Sequence, residues 1–207
     1  MPDLKPRRVP KQARARANLD ALLDATAHLL RRSGYATLTT NHIAERAGVS
    51  IGTLYQLFPG KEAVVAALAE RTARKHLETI AHELPAILAD HPPEAAVDLL
   101  VRRIAKMLDA DRRLHAVLLR EVPFLQDLQV VRQTVDALIA VTDTQFGAFR
   151  GRTRTGDSSV ESWLIGRMVY EALVAIAVFR EGPANADRSL DAFIRLLRRM
   201  LGDGARD

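Results

Sequence analysis

Between Ile51 and Lys61 the sequence brings hydroxyl, cationic and branched apolar side chains close together. The hydroxyls of Thr53 and Tyr55 suit the oxygens of a phosphodiester, while Ile51 or Thr53 suits the methyl group of thymine. Lys61 adds a cation at the start of a predicted helix, where free N–H groups and the helix dipole also favour an anion. These residues predict a surface that contacts phosphates and base edges.

Two short helices would have to position these side chains. Thr39-Thr40 and Ser50 are candidate caps for helices over residues 41–47 and 51–57, and Pro59-Gly60 stops the second. The Gly48-Val49-Ser50 turn gives the pair the lengths of a helix-turn-helix, whose second helix reads bases from its N-terminal end. The predicted core of the motif consists of Ile43, Ala44, Ala47, Val49 and Leu54. It is expected to pack against a first helix over about residues 16–32.

The formal charge of +5 is confined to the first sixty residues. They carry nine lysines and arginines against four acidic residues, whereas residues 61–207 carry 21 of each sign. A basic head on a neutral body predicts a polyanionic partner at the head, because lysine and arginine that neutralise phosphates release condensed counterions. On charge alone, a solvated basic tail is the alternative.

Helical spacing of apolar residues continues through the rest of the chain, and no segment is typical of a strand. Helices are predicted over about residues 61–84, 93–108, 112–122, 158–180 and 188–201, with one or two more over 124–149 and with Pro85 kinking or ending the first. The segment 150–157 (RGRTRTGD) predicts a loop. The predicted fold class is all-α, with an N-terminal three-helix domain and a C-terminal helical bundle.

The longest apolar run, Ala172 to Phe179, is far shorter than the ~20 residues that span a bilayer, so no membrane span is expected. Residues 1–11 are basic and contain proline, and no apolar core follows them, which is not typical of a secretory signal. The chain has no cysteine and therefore suits a reducing compartment. A cytoplasmic protein is expected.

Residues 22–68 resemble the DNA-binding domain of the TetR (tetracycline-repressor) family. The resemblance rests on LLDATAHLL and SGYATLTTNHIAERAGVSIGTLYQLFPGKEAV, where the glycine-valine-serine turn, GTLY, the aromatic before proline and the KE pair occur in order. It implies a homodimeric transcription regulator, expected to be a repressor, that binds a palindromic DNA operator and is released by a small lipophilic effector. Neither enzymatic activity nor a cofactor is expected.

The resemblance also implies which residues contact DNA. Thr40 and Asn41 match positions that contact phosphate and sometimes a base. Base contacts at the start of the recognition helix are matched by Ile51, Gly52 and Thr53, and further phosphate contacts by Tyr55 and Lys61. Leu57 departs from the family, which often has histidine or tyrosine there, and it cannot donate a hydrogen bond.

The implied organisation is a flexible basic arm (residues 1–15), a helix-turn-helix domain (16–62) and a ligand-binding and dimerisation domain (63–207). Candidate pocket residues are aromatic, methionine and neighbouring side chains that suit an apolar cavity: Met107, His115, Phe124, Leu128, Phe146, Met168 and Tyr170. The last two helices are expected to pair across a two-fold axis through Trp163, Leu173, Phe193 and Leu197. An intramolecular core would give a similar pattern.

Two other functions compete with this interpretation. Gly48-Val49-Ser50-Ile51-Gly52 satisfies G-x-S-x-G, the nucleophile elbow of a hydrolase, but that motif needs a strand before the serine, and a helical segment precedes it here. Ser50 is better explained as a helix cap. The second alternative is a ligand-binding protein with a vestigial DNA-binding head. The six histidines form no H-E-x-x-H pattern, so no metal site is expected.

Overall fold

The computed structural model describes residues 4–7, 12–134, 136–137, 140, 158–182 and 185–202. Every regular element among these residues is helical, which confirms the predicted all-α fold. Phe146 and the predicted loop at 150–157 lie outside the described residues. In the part that is described, no helix is both long and apolar enough to cross a membrane.

The described residues group into two compact units. The N-terminal unit falls within Met1–Arg74 and Arg113–Val131, and the C-terminal unit within Lys75–Arg112 and Arg132–Asp207. Helix α4 (Lys61–Asp90) therefore contributes residues to both units.

The N-terminal unit begins with α1 (Ala13–Ser33), α2 (Thr40–Ala47) and α3 (Ile51–Leu57). Gly48 ends α2 in the left-handed conformation, with φ +67° and ψ 28°, and the following N–H of Val49 donates to the Ala44 carbonyl at 3.1 Å. These bounds confirm the predicted helix-turn-helix, and those of α3 agree with the prediction at both ends.

Side chains from all four helices form the core of the N-terminal unit. Leu22 and Leu30 of α1, Ile43 of α2 and Leu54 of α3 are each fully buried. The first turns of α4 close this core, since their apolar side chains are also fully buried: Ala63, Val64, Val65 and Ala66. Burial of a leucine or isoleucine side chain stabilises a fold by about 1.5–3 kcal/mol, so this core holds the two short helices in place.

The predicted end of α4 near residue 84 is wrong, because the helix continues through Pro85 to Asp90. Proline removes one helical hydrogen bond and leaves a carbonyl without its donor. Pro85 and Ala81 are both exposed, so water can solvate that carbonyl. Ile87, two residues further on, is buried, and its packing supports the continued helix.

The C-terminal unit contains α5 (Pro93–Ala110), α7 (Ser158–Leu173) and α8 (Ala186–Gly202). Its core is a cluster of buried aliphatic residues in which Leu100, Ile104, Leu173, Ile194 and Leu197 take part. Helix α6 (Arg112–Glu121) and a 3₁₀ turn (Leu125–Asp127) precede α7 in the chain, and both lie in the N-terminal unit from Arg113 onward.

The helix predicted to reach residue 180 changes character after Leu173. Val174–Phe179 form a π-helix, and Arg180 ends it in the left-handed region, with φ +57°. The N–H of Glu181 donates back to the Ala175 carbonyl at 3.0 Å and closes the widened turn. Asn185 then caps α8 by accepting the N–H of Arg188 at 2.9 Å.

Candidate DNA-binding interface

Both short helices of the motif are capped by the side chain that precedes them. The Thr39 hydroxyl accepts the N–H of His42 at 3.2 Å, and the Ser50 hydroxyl accepts the N–H of Thr53 at 3.0 Å. The Ser50 hydroxyl is also 2.8 Å from that of Thr53. Capping satisfies backbone donors that a helix start leaves open, and it fixes where each helix begins.

Helix α3 presents an uncharged face to the outside. Ile51 and Tyr55 are 38% and 42% exposed, while Leu54 between them is fully buried. Gly52 and Gln56 are exposed and Thr53 is half-buried. The sequence of α3, IGTLYQL, contains no charged side chain.

Tyr55 joins the outward face of α3 to the start of α2. Its phenol oxygen lies 3.2 Å from the Thr40 hydroxyl, and the two groups form a hydrogen bond. Asn41, next to Thr40, is exposed. The residues predicted to contact DNA on α2 and on α3 are thereby brought to one surface.

Lys61, at the first position of α4, has a contact that the sequence did not reveal. Its ammonium lies 4.7 Å from the centre of the Tyr35 ring, in a cation–π arrangement. Tyr35 also meets Phe124 edge to face, with ring centres 6.2 Å apart. Burial, aided by the charge of Glu62 and a hydrogen bond to it, raises the pKa of the Tyr35 phenol.

A hydrogen bond connects the turn between α1 and α2 to the end of α6. The N–H of Tyr35 donates to a carboxylate oxygen of Glu121 at 2.8 Å. Gly34 makes this approach possible, because a Cβ at that position would lie 2.6 Å from the same oxygen. Sequence reasoning missed this cluster, because its partners are 86 residues apart.

The structure divides the predicted pocket residues between the two units. His115, Phe124 and Leu128 are buried in the N-terminal unit, at 6%, 7% and 5% exposure. Met107 packs against the core of the C-terminal unit, whereas Met168 is 51% exposed. Tyr170 is half-buried, and burial raises the pKa of its phenol.

A cavity of about 260 Å³ lies in the C-terminal unit between α5, the π-helix and α8. The residues predicted to bind ligand are absent from its described lining, which is rich in charged side chains: Arg102, Lys106, Asp109, Arg180 and Asp187. Arg180 and Asp109 form an ion pair there. Arg102 is bonded to Asp191 at 2.7 Å. Three of the five charged side chains of the described lining are thus already in ion pairs.

The four predicted dimer residues differ sharply in exposure. Leu173 and Leu197 belong to the core of the C-terminal unit, at 0% and 3% exposure, and Phe193 packs against the same core. Trp163 is 53% exposed. Because a fully buried side chain has no surface to offer, Leu173 and Leu197 cannot form the predicted contact with a partner as they stand.

No group of three or more histidine or acidic side chains in the described ranges could hold a metal ion. The chain segment before Ser50 is α2 followed by a turn, rather than the strand that a nucleophile elbow requires. The Ser50 hydroxyl is engaged as the cap of α3.

A short second helix with an exposed face, behind a left-handed glycine and on a chain whose described regular elements are all helical, defines a DNA-binding regulator of the helix-turn-helix class. Residues 22–68 match the family described as bacterial regulatory proteins, tetR family. The chain is 28% identical over 193 residues to the HTH-type transcriptional repressor KstR of Rhodococcus jostii, covering 89% of this chain and 83% of KstR. Residues 22–68 are thus a DNA-binding domain of the tetR family, and the chain as a whole is similar to transcriptional repressors.

Another relative and two solved structures resemble the chain over most of its length. KstR of Mycobacterium tuberculosis is 25% identical over 211 residues, with 95% of this chain and 92% of KstR covered. Among solved structures, the fatty acid degradation regulator FadR of Bacillus halodurans has a TM-score of 0.67 at 19% identity, covering 91% of this chain and 96% of FadR. FadR of Bacillus subtilis, solved in complex with stearoyl-CoA, has a TM-score of 0.64 at 19% identity, covering 86% and 96%. These structures share the fold.

Proposed function

We propose that this protein is a transcriptional repressor that binds a palindromic DNA operator as a homodimer and leaves it when a small lipophilic effector binds. The observation that carries the proposal is the outward face of α3, where Ile51 and Tyr55 are exposed and the Tyr55 phenol is bonded to Thr40. The KstR relatives, which are named as repressors, support the direction of control.

Within this proposal, the seven residues predicted to contact DNA have two roles, phosphate binding and base recognition. Thr40, Tyr55 and Lys61 bind phosphates and set the position of the head on the duplex. Base edges are read from the same surface, by Asn41 of α2 and by Ile51, Gly52 and Thr53 of α3. Gly52 lets the backbone approach the groove, since it is exposed and has no side chain.

The proposed dimer uses the outer face of α7. Four apolar side chains, each about half exposed, recur there at helical spacing: Val160, Trp163, Leu164 and Met168. A contiguous apolar face of this kind is typical of an interface between proteins. Trp163 is its largest member, and tryptophan is enriched among interface residues that contribute most to binding. Leu173 and Leu197 support this face from within the core.

The proposed effector is apolar because most of the predicted pocket residues are aromatic, methionine or leucine side chains. Phe124 and Leu128 lie next to the 3₁₀ turn that follows α6. The stearoyl-CoA in the structure of Bacillus subtilis FadR makes a long acyl chain a reasonable first probe. Effector binding lowers DNA affinity only if the effector prefers the state that does not bind DNA, and such coupling is typically ~1–3 kcal/mol.

Selection from a random-sequence duplex library with the purified full chain tests the proposal. We expect enrichment of one two-fold symmetric sequence, with half-sites about 10 base pairs apart, as two recognition helices of a dimer require. Stearoyl-CoA, with free CoA as the control, should then release the selected duplex. Equal retention of all sequences would contradict operator recognition, and absence of any DNA binding would favour a ligand-binding protein with a vestigial head.

A further inference from the structure

The C-terminal end of the recognition helix lacks one of its own backbone donors. The last carbonyls of a helix need partners, and Leu54 finds one in the N–H of Phe58 at 2.8 Å. The equivalent partner of the Tyr55 carbonyl would be the N–H of residue 59. That residue is Pro59, which has no N–H.

Arg7, from the N-terminal segment, supplies the missing donor. Its guanidinium Nη1 donates to the Tyr55 carbonyl at 3.1 Å, and its backbone N–H donates to the Leu57 carbonyl at 2.8 Å. Its positive charge is also favourable beside the negative end of a helix dipole. The last turn of α3 contains no basic residue of its own.

We propose that Arg7 is a positioning residue for the recognition helix, and that it raises DNA affinity through α3 rather than by contacting DNA. The inference rests on the proposed function, in which α3 reads the operator. Arg7 donates a hydrogen bond to the backbone carbonyl of Tyr55, and the phenol of the same residue is hydrogen-bonded to Thr40 of α2. Tyr55 is thus fixed both at its backbone and at its hydroxyl.

Amide hydrogen exchange of the DNA-free protein tests the positioning role. Arg7→Ala should accelerate exchange in the peptide that covers residues 51–58 by about three- to tenfold, the range expected for one lost hydrogen bond. Arg7→Lys, which keeps the charge and a side-chain donor, should restore part of the protection. Arg74→Ala is the matched control, because it removes one exposed positive charge from α4 and leaves the end of α3 intact.

Binding to the duplex selected by the wild-type chain, measured over a series of salt concentrations, separates positioning from direct contact. Arg7→Ala should weaken binding by about three- to tenfold without changing the slope of log affinity against log salt. A direct phosphate contact would instead reduce that slope by about 0.9.

The proposal is overturned if exchange in α3 is unchanged by Arg7→Ala, or if the salt slope falls in that variant. Should the wild-type chain bind no duplex at all, the proposed function fails, while exchange still decides whether Arg7 holds α3. Faster exchange in Arg7→Ala, with partial recovery in Arg7→Lys and none of the effect in Arg74→Ala, supports it.

Discussion

Tyr55 is the proposed DNA-contacting residue that local hydrogen bonds hold most firmly. Its ring stands on an exposed face of α3, yet its hydroxyl is held by Thr40 and its carbonyl by Arg7. A group that is held before binding loses less conformational entropy when it docks. A phosphate contact by Tyr55 would therefore benefit from this ordering.

Tyr55→Phe should weaken binding to every DNA sequence by about tenfold, because it removes a hydroxyl that is proposed to bind a charged phosphate and that is bonded to Thr40. Ile51→Ala should instead change which bases are preferred in the selected sequence. Repeating the library selection with each variant measures both effects. A uniform loss from Ile51→Ala, or a changed consensus from Tyr55→Phe, would contradict the assignment of these two roles.

Gly34 should tolerate alanine much less well than Gly48 does. Gly34 has φ +74° and ψ −178°, a region that only glycine populates readily, and a Cβ there would displace the Glu121 carboxylate from the Tyr35 N–H. Gly48 is in the ordinary left-handed region, with nothing within 4 Å of an added Cβ. We expect Gly48→Ala to cost about 1 kcal/mol and Gly34→Ala about 2–3 kcal/mol in urea unfolding.

The contribution of the carboxylate can be measured separately. In a Glu121→Ala background, the steric part of the Gly34→Ala effect should disappear and the backbone part should remain. An unchanged cost in that background would show that the Glu121 contact contributes nothing.

At the scale of elements, the bounds of α3 were predictable because both its start and its end depend on local chemistry. Ser50 caps it, and Pro59-Gly60 cannot continue it. The continuation of α4 through Pro85 was not predictable from local rules, since the burial of Ile87 beyond the proline depends on tertiary packing. The π-helix was equally hidden, because VAIAVF is apolar throughout and has no periodicity to interrupt.

Ser50→Ala should destabilise the chain by about 1 kcal/mol, because it removes the side chain that accepts the Thr53 N–H. Ser50→Thr keeps a capping hydroxyl and should retain most of the stability. Urea unfolding of the three proteins, with hydrolysis of p-nitrophenyl acetate measured in parallel, distinguishes the two roles of this serine. Ester hydrolysis that vanishes in Ser50→Ala while stability is unchanged would support the hydrolase alternative instead.

At the scale of the whole molecule, the sequence predicts which helix faces are apolar, but it does not predict whether each face packs in the core or against a partner. Leu173 and Trp163 both follow helical spacing near the C-terminus, and only the structure separates a core side chain from an exposed one. An amphipathic helix has the same pattern whether its apolar face meets its own core or a second copy. The predicted pocket residues show the same limit, since they fall in two different units.

Trp163→Ala should weaken the proposed homodimer by at least about 2 kcal/mol, as expected for a central aromatic residue of an interface. Sedimentation over a range of protein concentrations measures the change in dimer dissociation. Leu99→Ala is the matched control, because Leu99 is an exposed apolar residue on α5. Equal shifts in the two variants, or no shift in either, would remove Trp163 from the interface.

The uncharged sequence of α3 has a consequence for how this regulator can change over evolutionary time. Its positive charges belong to neighbouring segments, such as Lys61 and the basic N-terminus, rather than to the seven residues of α3 itself. Substitutions at the proposed base-reading positions of α3, Ile51, Gly52 and Thr53, can therefore retarget the protein to another promoter while its general attraction to nucleic acid is preserved. Retargeting would then not require the whole surface to be rebuilt.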